Sequence, residues 1–375
     1  MASSAPTATD PGDLNHMRAA LALAGRALGR VAPNPAVGCV IAKNGRVVGR
    51  GRTQDGGRPH AETEALGRAG AAAEGATAYV TLEPCSHHGK TPPCDQALIA
   101  AGIARCVIAL EDPDARVAGQ GIAHLKAAGV AVETGLCRAE AEDLNAGYLL
   151  QRRAGRPLVA LKLASTLDGR IATGAGESKW ITGETARARA HLLRARHDAV
   201  LVGAGTALAD DPRLDVRLPG LEGRKPLRVV LDGRLRLPLT HDLVAAAGER
   251  PSCLVTGDDL PAAKLQPYRD AGLQVLQVGR DPQGRLDLEA ALTALGALGL
   301  TRILVEGGGV LAASLLRSGL VERLYWFRAP KLIGAEGRPA IAELGLEALA
   351  AAPAFERCGV ESLEGDLLET YRRGL

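Results

Sequence analysis

His60-Ala61-Glu62, Pro84-Cys85 and Cys94 are the residues of this 375-residue chain whose types and spacing best suit chemistry. One imidazole and two thiols make three ligands for a tetrahedral zinc, and three protein ligands leave the fourth position to water. Water on zinc ionises near neutral pH, where bulk water does not. Glu62 lies two residues from His60, is not needed as a ligand, and is placed to carry protons for that water. Taken singly, Cys85 and Cys94 read as buried apolar thiols and His60 as a surface residue. As a set they read differently, because Glu62 and Pro84 would then be further coincidences. A purely structural zinc closes its fourth position with protein, and His87 or His88 is available for that, but Glu62 is then left without a task.

The elements that must position these groups follow from pattern. Pro59 precedes an apolar period, so a helix is expected over 60–69, opened by His60. A strand over 78–82 ends just before Cys85. Cys94 precedes a helix over 95–101, whose free N–H groups and positive dipole end favour a thiolate. Upstream, a helix over 14–28 has Asp13 as its expected N-cap. Strands over 37–42 and 46–51 flank Lys43-Asn44-Gly45, and Asn-Gly is a strong hairpin signal. A strand over 104–110, a helix over 121–128 and a strand over 130–134 follow. This alternation is that of an α/β sheet with covered faces. Charge, Gly and Pro make 151–157 the best linker. Beyond it the pattern restarts: strands over 158–163, 199–202, 227–231, 252–256, 273–278 and 302–305, helices over 185–196 and 288–298, and terminal strands over 324–329 and 369–373. The expected organisation is a disordered leader (1–13), a first α/β domain (14–150), a linker (151–157) and a second α/β domain (158–375).

Composition narrows the function. At 46% hydrophobic and 23% charged the chain is an ordinary globular protein. A net charge of +3 and 2% aromatics supply neither the basic field nor the stacking platform that a nucleic-acid base deaminase needs. Salt-sensitive tight binding of RNA or single-stranded DNA would favour that alternative. The seven cysteines are odd in number and mostly scattered, which argues for a reducing compartment. No apolar run reaches the roughly 18 residues of a membrane span, and the N-terminus lacks the order of a signal peptide. A cytoplasmic protein with neither nucleic acid nor membrane as partner is expected.

His-x-Glu with Pro-Cys-x-x-Cys is a zinc-deaminase signature. The first half is intact here. The second departs from it, with eight residues between the two cysteines. Pro33-Asn34-Pro35-Ala36-Val37-Gly38-Cys39-Val40, His60-Ala61-Glu62 and Thr81-Leu82-Glu83-Pro84-Cys85-Ser86-His87-His88-Gly89-Lys90-Thr91-Pro92-Pro93-Cys94 closely resemble the bifunctional riboflavin-biosynthesis deaminase–reductase family, in which the long loop between the cysteines is the rule. Lys162-Leu163-Ala164-Ser165-Thr166-Leu167-Asp168-Gly169, Ser178-Lys179-Trp180-Ile181-Thr182-Gly183, Ala209-Asp210-Asp211-Pro212 and Glu306-Gly307-Gly308-Gly309 extend the resemblance to the C-terminus. It implies a cytidine-deaminase-like α/β/α zinc domain followed by a dihydrofolate-reductase-like α/β domain that uses NADPH. It also implies a homo-oligomer, dimer or tetramer.

The implied reactions are hydrolytic deamination of 2,5-diamino-6-ribosylamino-4(3H)-pyrimidinone 5′-phosphate, then reduction of the ribosyl group of 5-amino-6-(5-phosphoribosylamino)uracil to ribityl. By the same resemblance His60, Cys85 and Cys94 hold a catalytic Zn2+ and Glu62 moves protons. Asn34, Ala61, His87 and Lys90 bind the deaminase substrate. In the second domain Ala164, Trp180, Thr206, Asp210, Gly307, Gly308 and Gly309 contact the cofactor. Ser178, Arg194, Leu214, Arg217 and Glu306 contact the substrate, and Lys162, Asp210 and Glu306 are the polar candidates to assist reduction. Arginine suits the phosphate because its fork binds two oxygens at once. Gly307-Gly308-Gly309 follows a strand and opens a helix near Val310, where backbone N–H groups can approach a pyrophosphate. Val202-Gly203-Ala204-Gly205 lacks the third glycine of a Rossmann fingerprint, and Gly89-Lys90-Thr91 lacks the first glycine of a P-loop, so neither of those folds is expected.

Overall fold

Asp10 starts the first helix by accepting the Gly12 N–H at 3.0 Å, with Pro11 at the first helical position. The computed structural model describes residues 10–86, 92–114 and 118–373, and divides into two units, Met1–Ala154 and Gly155–Leu375. Helix α1 spans Pro11–Gly25, so Pro11, Gly12 and Asp13 belong to it and not to a leader. Asp13 is not the cap expected of it. It lies in the first turn, buried, where Arg105 donates at 2.6 and 2.9 Å and the Tyr79 hydroxyl at 2.5 Å. The bond from Arg105 holds the Asp13 carboxyl below its ordinary range against the pull of burial.

The rest of this unit is β1 (Gly38–Lys43), β2 (Arg46–Arg52), α2 (Ala61–Ala69), β3 (Thr77–Val80), α3 (Cys94–Ala100), β4 (Arg105–Ile108), α4 (Gln120–Ala127), β5 (Ala131–Thr134) and α5 (Arg138–Ala154). The sheet runs β2-β1-β3-β4-β5. Its first two pairings are antiparallel and its last two parallel. Asn44 and Gly45 take positive φ at the β1–β2 turn, as the Asn-Gly signal predicts. Helix α2 lies so near β2 that a Cβ on Gly51 would stand 2.0 Å from the Ala61 carbonyl oxygen. Met17, Val40, Ile41, Val80, Leu98 and Ile108 fill the core. Helix α5 covers the first half of the expected 151–157 linker. Its Ala141, Asn145, Tyr148 and Leu149 are buried, which carries the helix through the charged stretch at its end.

The second unit contains β6 (Leu158–Thr166), β7 (Arg170–Ala172), α6 (Glu184–Ala195), β8 (Ala199–Gly203), α7 (Ala204–Asp210), β9 (Leu227–Leu231), α8 (Asp242–Ala245), β10 (Ser252–Gly257), α9 (Ala262–Asp270), β11 (Gln274–Val278), α10 (Leu288–Ala297), β12 (Arg302–Val305), α11 (Gly309–Arg317), β13 (Arg323–Ala329), β14 (Arg338–Pro339), β15 (Glu356–Leu363) and β16 (Asp366–Arg372). Its large sheet has the order β11-β10-β9-β8-β12-β6-β13-β16-β15. The pairings from β11 to β13 are parallel, and β16 and β15 add an antiparallel edge. After β6 the chain builds β8 to β11 outward in one direction, returns to insert β12 between β8 and β6, and crosses to β13. Ligands of open α/β sheets bind beyond the carboxyl ends of strands at such a reversal. Among the described residues no helix is long and apolar enough to cross a membrane.

Candidate active sites

The three zinc-ligand candidates come from three element ends. His60 precedes α2, Cys85 lies beyond β3, and Cys94 opens α3. Their ligand atoms all lie within 4.8 Å of one another. His60 Nδ1 is 3.5 Å from Cys85 Sγ and 3.3 Å from Cys94 Sγ. The Cys94 N–H donates to Cys85 Sγ at 3.4 Å, and the Asp95 N–H to the Cys85 carbonyl at 3.3 Å. The start of α3 therefore gives an N–H group to Cys85 Sγ and favours a thiolate there. The bond from the Cys94 thiol, with help from His60 and the Cys94 N–H, pulls Cys85 down to about 4 against its burial. The same bond, and then burial, push Cys94 well up. The bond to Cys85 also raises His60. Two sulfurs and an imidazole nitrogen thus converge, a soft donor set that suits zinc.

Glu62 sits in the first turn of α2, 3% exposed. Burial and then the negative charge of Cys85 raise it to about 7, with His60 opposing. A carboxyl near 7 gives and takes a proton with similar ease at neutral pH. Ala61 is buried at the first position of α2. Asn34 borders the segment that enters α2, because a Cβ on Gly57 would meet Asn34 Nδ2 at 2.0 Å. The Asn34 segment is pinned by Asn145 of α5, whose side-chain amide exchanges two hydrogen bonds with the Ala36 backbone at 3.0 and 3.1 Å. His87 and Lys90 lie outside the described residues.

In the second unit a cleft of about 1270 Å³ opens beside the middle of β6 and at the carboxyl ends of β8, β9 and β12. Lys162, Ala164, Ser178, Arg194, Thr206, Asp210, Leu214, Glu306, Gly307, Gly308 and Gly309 all line it, although they are far apart in sequence. Trp180 and Arg217 are not among the lining residues. Trp180 is 62% exposed with the Arg187 guanidinium 4.6 Å from its ring centre, and Arg217 is bound to Asp215 at 2.6 Å.

Glu306 is the electrostatic centre of the cleft. Arg194 holds it through Nε and Nη2 at 2.5 and 3.0 Å, and Lys162 Nζ lies 3.9 Å away. Burial alone would raise Glu306, but the charge and bonds of Arg194, and then Lys162, outweigh it and hold the carboxyl at about 2. Burial lowers Lys162 from its ordinary value. The fork of Arg194, expected for a phosphate, is thus filled by Glu306, and its Nη1 by the Asp215 carbonyl at 2.8 Å. Helix α11 begins at Gly309, and its N-cap Gly308 has no side chain to cap the free N–H groups. The Gly308 N–H donates to Thr206 Oγ1 at 3.0 Å. An uncapped helix start in a large cleft suits the phosphates of a dinucleotide. Arg234, Arg236, Arg280 and Arg285 also line the cleft and were not singled out in the sequence, where 45 Lys and Arg residues hide them.

Comparison with known proteins agrees with this geometry. Residues 157–368 match the model of the RibD C-terminal domain, and residues 11–110 that of the cytidine and deoxycytidylate deaminase zinc-binding region. The riboflavin biosynthesis protein RibD of Escherichia coli K12 is 44% identical over 355 residues, covering 92% of this chain and 95% of that one. Its namesake from Aquifex aeolicus is 40% identical, covering 96% and 98%. Among solved structures, Acinetobacter baumannii RibD, form 1, superposes with a TM-score of 0.87 at 38% identity, covering 97% and 99%. A diaminohydroxyphosphoribosylaminopyrimidine deaminase/5-amino-6-(5-phosphoribosylamino)uracil reductase from Thermotoga maritima gives 0.84 at 34% identity, covering 96% and 98%.

Proposed function

The chain belongs to the RibD family, and on that premise we propose how its own residues divide two reactions between two units. The enzyme hydrolytically deaminates 2,5-diamino-6-ribosylamino-4(3H)-pyrimidinone 5′-phosphate. It then reduces the ribosyl group of 5-amino-6-(5-phosphoribosylamino)uracil to ribityl with NADPH.

In the first unit His60, Cys85 and Cys94 would hold the zinc, which when bound acts as a Lewis acid that eases ionisation of water. Glu62 takes one proton from the attacking water and gives it to the ring nitrogen, then takes the remaining hydroxyl proton and gives it to the amine, which leaves as ammonia. Its buried position keeps that proton from exchanging freely with solvent. The Asn34 amide binds the pyrimidine edge, and the Ala61 N–H meets the ring carbonyl at the start of α2. His87 and Lys90 complete this substrate set.

In the second unit Ala164, Trp180, Thr206, Asp210, Gly307, Gly308 and Gly309 bind NADPH, which when bound supplies the hydride. Ser178, Leu214 and Arg217 position the substrate around the Arg194–Glu306 pair. Lys162, a buried cation 3.9 Å from Glu306, would donate a proton to the ribose as it is reduced. The seven free cysteines fit a reducing compartment such as the cytoplasm.

The observation that carries the deaminase assignment is the convergence of three ligand atoms within 4.8 Å beside a buried glutamate. Ammonia release from the phosphorylated pyrimidine by zinc-replete enzyme tests it, and no release would refute the assignment.

A further inference from the structure

Two acidic residues beside the sulfur ligands have no part in the chemistry above, and both reach the same helix. Glu83, two positions before Cys85, is buried. Its Oε2 accepts the N–H groups of Asp112 and Gly119 at 3.2 and 3.0 Å, and its Oε1 that of Ile122 at 3.1 Å. Gly119 is the N-cap of α4 and has no side chain to cap it, so the Glu83 carboxylate does that work from across the fold. Asp95, directly after Cys94, is fully buried, and its Oδ2 lies 2.7 Å from Nδ1 of His124 on α4.

The fit at the start of α4 is tight. A Cβ on Gly121 would stand 2.2 Å from the Pro84 carbonyl oxygen and 3.3 Å from Glu83 Oε1. Behind Asp112, the Tyr148 hydroxyl of α5 reaches both carboxylate oxygens at 3.1 and 3.3 Å. Glu83 and Asp95, which flank the two thiols, are therefore both tied to α4. By contrast, a cysteine beyond the end of a strand has no hydrogen-bond ladder of its own to fix it.

We propose that α4 is a brace that sets the spacing of Cys85 and Cys94, with Glu83 and Asp95 as the positioning residues that connect it to the two ligands. The proposal rests on the zinc reading of the site. Glu83 needs two acceptor oxygens because three N–H donors face it. Glu83→Gln keeps the shape but turns an NH2 group toward at least one of those donors. The Cys85 segment then loosens, and a ligand set whose support is disturbed loses roughly 10-fold or more in metal affinity.

The test is the rate at which full-length, zinc-loaded protein gives up zinc to a colorimetric chelator. Glu83→Gln is expected to release zinc about 10-fold faster than wild type. Tyr79→Phe, which removes the bond to Asp13 in the same unit away from the ligands, is expected to release it at the wild-type rate even at equal loss of thermal stability. A wild-type release rate from Glu83→Gln, or equally fast release from Tyr79→Phe, overturns the proposal. Should Glu83→Gln not fold, His124→Ala cuts the other arm at a side chain that is 52% exposed. Faster release supports the brace there and an unchanged rate overturns it. Wild-type protein that never held zinc would instead refute the zinc reading itself.

Discussion

The two active sites are built by opposite strategies. The first takes its metal ligands and its glutamate from residues 60–94, in an order readable along the chain. The second gathers Lys162, Arg194, Thr206, Glu306 and the three following glycines from across almost 150 positions, and only the sheet order brings them together. A zinc site is set by side-chain type, since only nitrogen, sulfur and carboxylate donors serve. A dinucleotide cleft is set by strand ends and backbone N–H groups, which any residue but proline can supply. Chemistry that depends on side chains leaves a motif, and chemistry that depends on topology leaves mostly glycines.

If the sites are separate in this sense, breaking one spares the other. Glu62→Gln is expected to slow ammonia release by about 10²–10⁴-fold while zinc stays bound. NADPH oxidation with supplied 5-amino-6-(5-phosphoribosylamino)uracil should be unchanged. Loss of both activities in the folded variant would end the comparison. On the other side, Arg194→Met strands a buried Glu306 and is expected to cost the second unit about 3–5 kcal/mol. Both tryptophans, Trp180 and Trp326, lie in that unit, so their fluorescence during denaturant unfolding reads the loss.

The pH response sharpens the same contrast. Glu306 titrates lower in the folded state than in the unfolded chain. Its stabilisation is therefore complete above the ordinary carboxylate range and is lost as pH falls from about 4.5 toward 2. Up to about 3 kcal/mol of the second unit's stability should disappear across that window. Zinc on the first unit should be released by acid for a different reason, because protons compete for His60 and for the two sulfurs. The smallest expected effect is Gly51→Ala. Its Cβ meets the Ala61 carbonyl at 2.0 Å, and pushing α2 away should cost about 1–3 kcal/mol of first-unit stability, read by thermal unfolding.

Most of the first site was legible because spacing alone places His60, Glu62, Cys85 and Cys94 at element ends. What remained hidden was support. Glu83 and Asp95 look like surface acids until α4 is seen to receive both, and Asp13 looks like a cap until Arg105 and Tyr79 are seen around it. Strand positions in the second unit were readable from apolar runs, but not the insertion of β12 between β8 and β6, which places Glu306 beside Lys162 and Arg194. The pairing of Arg194 with Glu306 was not legible, since no periodicity relates positions 194 and 306. The charged stretch 151–157 suggested a linker, but the buried face of α5 holds the helix to Ala154.

The first unit is expected to work through a metal held by His60, Cys85 and Cys94, independently of the second. Metal analysis of the full chain, coupled to ammonia release before and after chelation, tests it most directly. The expected result is one zinc per chain, loss of ammonia release on its removal, recovery when zinc is returned, and NADPH oxidation with the supplied intermediate unaffected throughout. Sustained ammonia release from metal-free protein would contradict it.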